Sequence, residues 1–552
     1  MTKLLLFFCC ICFLLPVNAQ NNAGQAVAPQ QGIARPKLVV GIVVDQMRWD
    51  YLYRYYARYS NNGGFKRLIG NGFSCDNTMI PYMPTVTACG HTSIYTGSVP
   101  AIDGITSNEW WDYDISAIAY CTGDTAMKTI GGTSKAGQMS PHNLLVTTIG
   151  DELRLATNFH SKVIGIALKD RAAILPAGHA ANAAYWYEET TGNWISSSYY
   201  FNELPKWVQD LNAKKLPDQY FAQDWNTLYP LDTYTESAPD IEPYEYRPFG
   251  RAAKGFPYSL KEFAGKSYGL LHVTPYGNSF TFDMAKAAVA GEQLGAGSNT
   301  DMLTISLSTP DYIGHTFGPN SVEAEDDFLR LDKDLGSFLD YLDGKLGKGQ
   351  YLVFLTADHG AAHVPFFLNQ HKIPAGNAID ANYADELNKL LLKKFGSDKL
   401  IIDASGYQVY FNRTLIKQRG LNKDSISKAV LNYLTDQPGI YRAFAQDKLN
   451  ETTLNATIKT AAANGYYPQR SGDIQIIFKP QWIEGFENGG TTHGQWNPYD
   501  SHIPLVWYGW NVRQGRSGRE IYMTDIAATV AFMLHIQMPS GSIGHVIEEV
   551  SK

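Results

Sequence analysis

Leu38-Val39-Val40-Gly41-Ile42-Val43-Val44 is a continuous apolar run, mostly β-branched, and Asp45 follows it at once. It lacks the polar alternation of a half-exposed strand, so it reads as a strand buried on both faces, as in a parallel sheet. Similar runs recur at 163–168, 302–307, 351–355 and 503–507. Between and after them lie helical patterns at 144–155, 321–342 and 525–534. Strands alternating with amphipathic helices predict an α/β fold, a mostly parallel central sheet with helices on both faces.

Two stretches break the alternation. Residues 181–285 read as a loop-like insertion rich in aromatics, with Tyr185-Trp186-Tyr187, Trp194 and Tyr199-Tyr200-Phe201. Residues 366–485 carry two helical patterns, 383–395 and 423–435, and two strand patterns, 407–411 and 473–478, which predict a small inserted α+β cap. The core is then expected over 37–365 and 486–552.

The chain has 552 residues, 44% hydrophobic and 18% charged, enough to bury one large core or two moderate ones. A net charge of −7 and no basic stripe argue against a nucleic-acid binder. Residues 1–19 read as a secretory signal peptide: Lys3, then apolar Leu4 to Leu15, then a small residue at Ala19. That apolar stretch is too short for a comfortable membrane span, which needs roughly 20 residues. No stable membrane association is therefore expected after cleavage. Residues 20–36 are polar and read as a flexible leader. Of the six cysteines, Cys9, Cys10 and Cys12 fall in the signal, leaving Cys75, Cys89 and Cys121, an odd number that rules out a disulfide scaffold.

In open α/β sheets ligands bind beyond the carboxyl ends of the strands. Asp45 follows the first run, Lys169-Asp170-Arg171 the run at 163–168, Asp311 and His315 the run at 302–307, and Asp358-His359-Gly360 the run at 351–355; Thr492-His493-Gly494 precedes the last. Taken singly, each has a bland reading: Asp-His-Gly is an ordinary turn, Lys169 and Arg171 a solvated loop, His493 a hydrogen-bonded histidine. Together they suit zinc, which takes His nitrogen and Asp oxygen at about 2.0–2.2 Å. Such a cluster can hold two ions roughly 4 Å apart. A nucleophile candidate lies in Pro84-Thr85-Val86-Thr87-Ala88-Cys89-Gly90-His91-Thr92, read as a loop entering a helix whose dipole favours an alkoxide at its start. Thr85, Thr87 and Thr92 all fit that role, and each also fits the common use of Thr as an N-cap.

On these residues the chain resembles the PafA-type periplasmic alkaline phosphatases of the alkaline phosphatase superfamily. The likeness rests on segments 37–54, 84–104, 169–179, 311–320, 356–363 and 491–504, and extends from about residue 36 to the C-terminus. The resemblance implies hydrolysis of phosphate monoesters by a periplasmic or secreted monomer. Thr87 would be the nucleophile, passing through a covalent phosphothreonine. Two Zn2+ per chain are implied: one on Asp45, Asp358, His359 and the Thr87 oxygen, the other on Asp311, His315 and His493. Asn108, Lys169 and Arg171 would contact phosphoryl oxygens, the two cations standing where related enzymes place a third metal, so no Mg2+ site is implied. Two residues depart from the family pattern: Pro310 before Asp311, and Cys89 after the nucleophile.

Phosphoryl transfer spreads charge over three oxygens, so catalysis is mostly positioning and electrostatics. Lys169 and Arg171 suit the extra charge of a monoester dianion. The nearest rivals are a nucleotide pyrophosphatase or phosphodiesterase, expected to lack that cation pair, and a phosphonoacetate hydrolase. A non-catalytic binding protein, stacking a flat ligand on the aromatics of 181–285, would need no set of six metal ligands.

Overall fold

The computed structural model describes residues 34–250, 252–378, 383–484 and 489–552. The expected signal peptide, and residues 20–33 of the expected leader, lie outside the described residues. Five strands form the centre: β1 (Leu38–Val44), β2 (Val163–Ala167), β3 (Ala183–Glu188), β4 (Asp301–Leu307) and β5 (Tyr351–Thr356). They run parallel in the order β5-β1-β4-β2-β3 within a ten-stranded sheet. The apolar side chains of β1 are completely buried, as its unbroken run requires. An antiparallel strand flanks this centre on each side: Asn193–Ser197 pairs with β3, and β6 (Leu505–Gly509) pairs with β5. The sheet is thus parallel at its centre and mixed at its edges.

The run at 503–507 is not one strand. Pro504 divides it, because proline offers no N–H to a ladder. His502–Ile503 pairs with Thr78–Met79, while β6 joins the main sheet. The helix expected from residue 144 starts at Ile149, where Thr148 and Asp151 close a capping box. Four helices carry the argument below: α1 (Thr87–Thr96), α2 (Asp170–Ala177), α3 (Thr309–Phe317) and α4 (Val322–Leu346).

Residues 181–285 are loop-like only in part: 222–275 hold three short 3-10 turns, but the ends of the stretch are regular. They open with β3 and Asn193–Ser197, both in the main sheet, and end in the helix Tyr276–Gly291. Tyr185, Trp186, Tyr187 and Trp194 are buried. A strand covered on both faces shows no alternation, and aromatic side chains fit it from either side. These four rings are core and offer no face to a flat ligand, while Tyr199 and Tyr246 are exposed.

A second sheet of four antiparallel strands, Ile401–Ser405, Gln408–Phe411, Ile440–Ala445 and Ile474–Phe478, lies within 366–485. The helices Tyr383–Phe395 and Lys423–Thr435 bury Leu387, Leu391, Ile426, Val430 and Leu434 with its Val409, Phe411, Ile474 and Ile476 in an apolar core of its own. Among the described residues no helix is long and apolar enough to cross a membrane.

Candidate active site

The parallel strands end on one edge of the sheet and deliver their carboxylates there. Asp45 leaves β1, Asp358 and His359 follow β5, and α3 starts immediately after Ser308, carrying Asp311 in its first turn and His315 one turn later. Pro310 fits this helix start, where its missing N–H has no intrahelical partner to lose. Two groups converge: Asp45, Asp358 and His359, and Asp311, His315 and His493, the ligand atoms of each group lying within 4.8 Å of one another.

The donor chemistry fits a divalent ion in both. The Nδ1 atoms of His315, His493 and His359 lie 2.7, 2.7 and 3.0 Å from the carbonyl oxygens of Thr491, Thr85 and Gly360. A carbonyl only accepts, so each Nδ1 carries the proton and each Nε2 keeps a free lone pair. Those Nε2 atoms face carboxylates, with His315 3.1 Å from Asp311 Oδ1 and His359 3.3 Å from Asp358 Oδ2. Asp45 Oδ1, Asp358 Oδ2 and His359 Nε2 are buried without a hydrogen-bond partner, as atoms reserved for a ligand would be.

Electrostatics agree. Burial pushes Asp45 above the usual carboxylate range, and the charge of Asp358 adds to it, a crowding that a dication relieves. Burial acts the same way on Asp358 and Asp311. It is outweighed by His359 and His91 at the first and by His315 and Lys169 at the second, which hold both below that range. Burial, then the neighbouring His359 and His315, lowers His493. A metal takes ionised carboxylates and neutral imidazoles, so at His315, where burial is outweighed by Asp311, which raises it, binding would displace a proton.

α1 begins at Thr87 and is buried along its whole length. Gly90 is what lets it approach: a Cβ there would lie 2.3 Å from the Asp358 carbonyl oxygen. The local geometry separates the three threonines. The Thr85 hydroxyl donates to Gln495 O at 2.9 Å, and Thr92 is enclosed within the helix. Thr87 opens the helix, and no described hydrogen bond engages its hydroxyl. Cys89 donates its thiol to Ile105 O at 3.1 Å and packs as core; Cys75, Cys89 and Cys121 are all free and buried.

Asn108 reaches the same helix end. Its Oδ1 accepts the Ala88 N–H at 3.0 Å, which leaves its amide protons as the remaining donors beside Thr87. Lys169 caps β2 and is 4% exposed. Its ammonium bridges the two groups, 2.7 Å from Asp45 and 2.6 Å from Asp311. Burial alone would lower it, but those two carboxylates hold it above the ordinary lysine range. Arg171, in the first turn of α2, donates to the Tyr120 hydroxyl at 3.1 Å, and that hydroxyl donates to Asp170 at 2.8 Å.

Two residues escaped the sequence reading. Gln46, at φ 63°, gives its backbone N–H to Asp358 at 3.1 Å and its side-chain amide to Asp311 at 2.6 Å, tying the two groups together. His91, one turn along α1, lies 3.2 Å from Asp358 Oδ2 and 2.8 Å from Ser306 Oγ. Its four-residue spacing from Thr87 was the available signal.

A family model described as type I phosphodiesterase / nucleotide pyrophosphatase matches residues 39–500. The chain is 51% identical to alkaline phosphatase PhoV of Synechococcus elongatus, over 100% of both chains. It is 50% identical to alkaline phosphatase PafA of Elizabethkingia meningoseptica, over 94% of this chain and 95% of that one. A protein of Myroides odoratus named calcium-transporting ATPase is 49% identical over 95% and 96%. A crystal structure of wild-type alkaline phosphatase PafA superposes with a TM-score of 0.92 at 49% identity, covering 94% of this chain and 100% of that one.

Proposed function

This chain belongs to the type I phosphodiesterase / nucleotide pyrophosphatase family and within it is a PafA-type alkaline phosphatase, a hydrolase of phosphate monoesters, and from that premise we propose how its own residues do the work. The observation that carries the proposal is a pair of side-chain groups able to hold a metal, one meeting the segment before Thr87 through His493 on Thr85 O and the other packed against Gly90 through Asp358. Asp45, Asp358 and His359 would hold one Zn2+, together with the Thr87 oxygen, and Asp311, His315 and His493 a second. Bound there, the ions supply positive charge to the attacking and leaving oxygens of an in-line displacement.

Thr87 Oγ1 attacks phosphorus as the ester oxygen departs with the alcohol, leaving a phosphothreonine; water then releases inorganic phosphate and restores the hydroxyl. The helix N-terminus favours the alkoxide form of Thr87. Asn108 donates its amide protons to one phosphoryl oxygen, and Lys169 and Arg171 place charge on the others. The enzyme acts as a monomer exported through its signal peptide to the periplasm or cell exterior, on small phosphate monoesters.

Diester hydrolysis is the second reading, favoured by the description of the matching family model. Turnover of an aryl phosphate monoester against the matching diester decides between them, measured on chelated protein with zinc restored. Zinc-dependent turnover that strongly favours the monoester is expected. A diester preference would overturn the monoesterase reading while keeping Thr87 and the metal groups.

A further inference from the structure

Asn108 sits on a strap, residues 104–113, that carries no metal ligand and is gripped from outside the main sheet. The grip comes from Arg470, in the turn between the helix Ala456–Gly465 and the strand Ile474–Phe478. One terminal nitrogen of its guanidinium, Nη1, donates to Gly104 O and to Asn143 O, each at 2.7 Å. Gly104 lies at φ 80°, and a Cβ on it would stand 2.7 Å from that nitrogen, so the strap comes as close as glycine allows. The guanidinium carbon lies 5.2 Å from the centre of the Trp110 ring, and Nε is 3.7 Å from Asp112 Oδ2. The backbone of the same turn adds two bonds: Arg470 O accepts the Thr106 hydroxyl at 3.1 Å, and Gln469 O accepts the Tyr113 N–H at 3.0 Å. The contacts fall at 104, 106, 110, 112 and 113, on both sides of residue 108.

We infer that Arg470 is a positioning residue for phosphoryl transfer: it fixes the strap so that the Asn108 amide meets the phosphoryl oxygen. The inference rests on Asn108 contacting substrate, as proposed above. Asn108 itself has two restraints, Oδ1 on the Ala88 N–H and its carbonyl on the Cys121 N–H at 2.9 Å. Its flanks are held as well: Glu109–Asp112 pairs antiparallel with Ala117–Tyr120, and Ile105 O accepts the Cys89 thiol at 3.1 Å. A displacement of about 1 Å in a donor of this kind can cost about a hundredfold in rate, and Arg470 is a side chain that touches both flanks at once, Gly104 before Asn108 and Trp110 and Asp112 after it. This gives the 366–485 region a part in catalysis, although it supplies neither a metal ligand nor the nucleophile.

The test is a double-mutant cycle on zinc-loaded enzyme with an aryl phosphate monoester. Arg470→Ala is expected to lower kcat/KM by about 10- to 100-fold with zinc content unchanged. In an Asn108→Ala background the same change should cost less than about twofold, because the group it positions is already gone. Arg470→Lys keeps the charge without the fork; it should show a smaller loss that also vanishes beside Asn108→Ala, and it stands in should Arg470→Ala fail to fold. Equal losses in both backgrounds, or no loss in the parent enzyme, would overturn the inference. Failure of the underlying reading shows separately, as an Asn108→Ala enzyme with unaltered kcat/KM.

Discussion

The Nδ1 proton of His493 is held by the carbonyl oxygen of Thr85 at 2.7 Å, two residues before the Thr87 hydroxyl. One backbone segment therefore orients His493, a candidate ligand in the second group, and presents the nucleophile proposed to attack beside the first. The His493 ring also stacks on His359, the centroids 3.6 Å apart at 15°, so the two groups share a wall.

His493→Ala should uncouple the groups. It removes one ligand from Asp311 and His315 and the stacked neighbour of His359. Zinc analysis after dialysis should show one of the two ions lost, its affinity reduced by at least about 10- to 100-fold, with the other retained. Full retention of two zinc ions by the variant would exclude His493 as a ligand.

Thr87→Ser keeps a hydroxyl at the start of α1 and should retain substantial activity. Thr87→Ala should lose more than about a thousandfold in kcat, because no group is left to accept the phosphoryl. Acid quench of the parent enzyme under turnover, followed by peptide mass spectrometry, should find phosphate on Thr87. Phosphate on Thr85 or Thr92 in its place would move the nucleophile.

Much of this arrangement is legible in the sequence. β1 announces itself because a run buried on both faces has no polar position to disguise it, and Asp45, Asp311 and Asp358 each follow the end of a parallel strand. What stayed hidden depended on contacts across the chain. Nothing local distinguishes Thr87 from Thr85 until Gln495 takes the Thr85 hydroxyl. Gln46 gains its place from a left-handed backbone turn that no periodicity reveals. β3 was missed because aromatic residues buried on both faces imitate an irregular segment, and Arg470 meets Gly104 across 366 residues.

Arg171 is steadied by Tyr120, whose hydroxyl stands between its guanidinium and Asp170. Arg171→Ala should lower monoester kcat/KM by about a hundredfold or more and diester kcat/KM far less, since a diester offers less charge to reward the cation. Tyr120→Phe should show the same selectivity on a smaller scale. Equal losses on both substrates would mean that Arg171 organises the site without selecting monoesters.

Away from the metal groups, Glu245 and Glu323 set a pH dependence of stability. Glu323, in the first turn of α4, accepts the Tyr258 hydroxyl on one oxygen; Glu245 accepts the Glu242 N–H at 3.2 Å. The other oxygen of each is buried without a hydrogen-bond partner. Burial, with the charge of Glu323 adding to it, pushes Glu245 up to about 9, and burial pushes Glu323 up to about 8 against the hydrogen bond from Tyr258. Both folded values exceed the ordinary 4.5 of an unfolded glutamate. The folded protein therefore holds protons that the unfolded chain releases above that pH. The stability this contributes is complete below about 4.5 and is lost as pH rises through about 8 to 9. Thermal melts of zinc-saturated protein should show Tm falling from pH 6 to pH 10. Glu245→Gln keeps the shape and cannot ionise, so its melts should fall less steeply and cross above the parent at the alkaline end. A variant with the parent's pH slope would show that this pair does not govern alkaline stability.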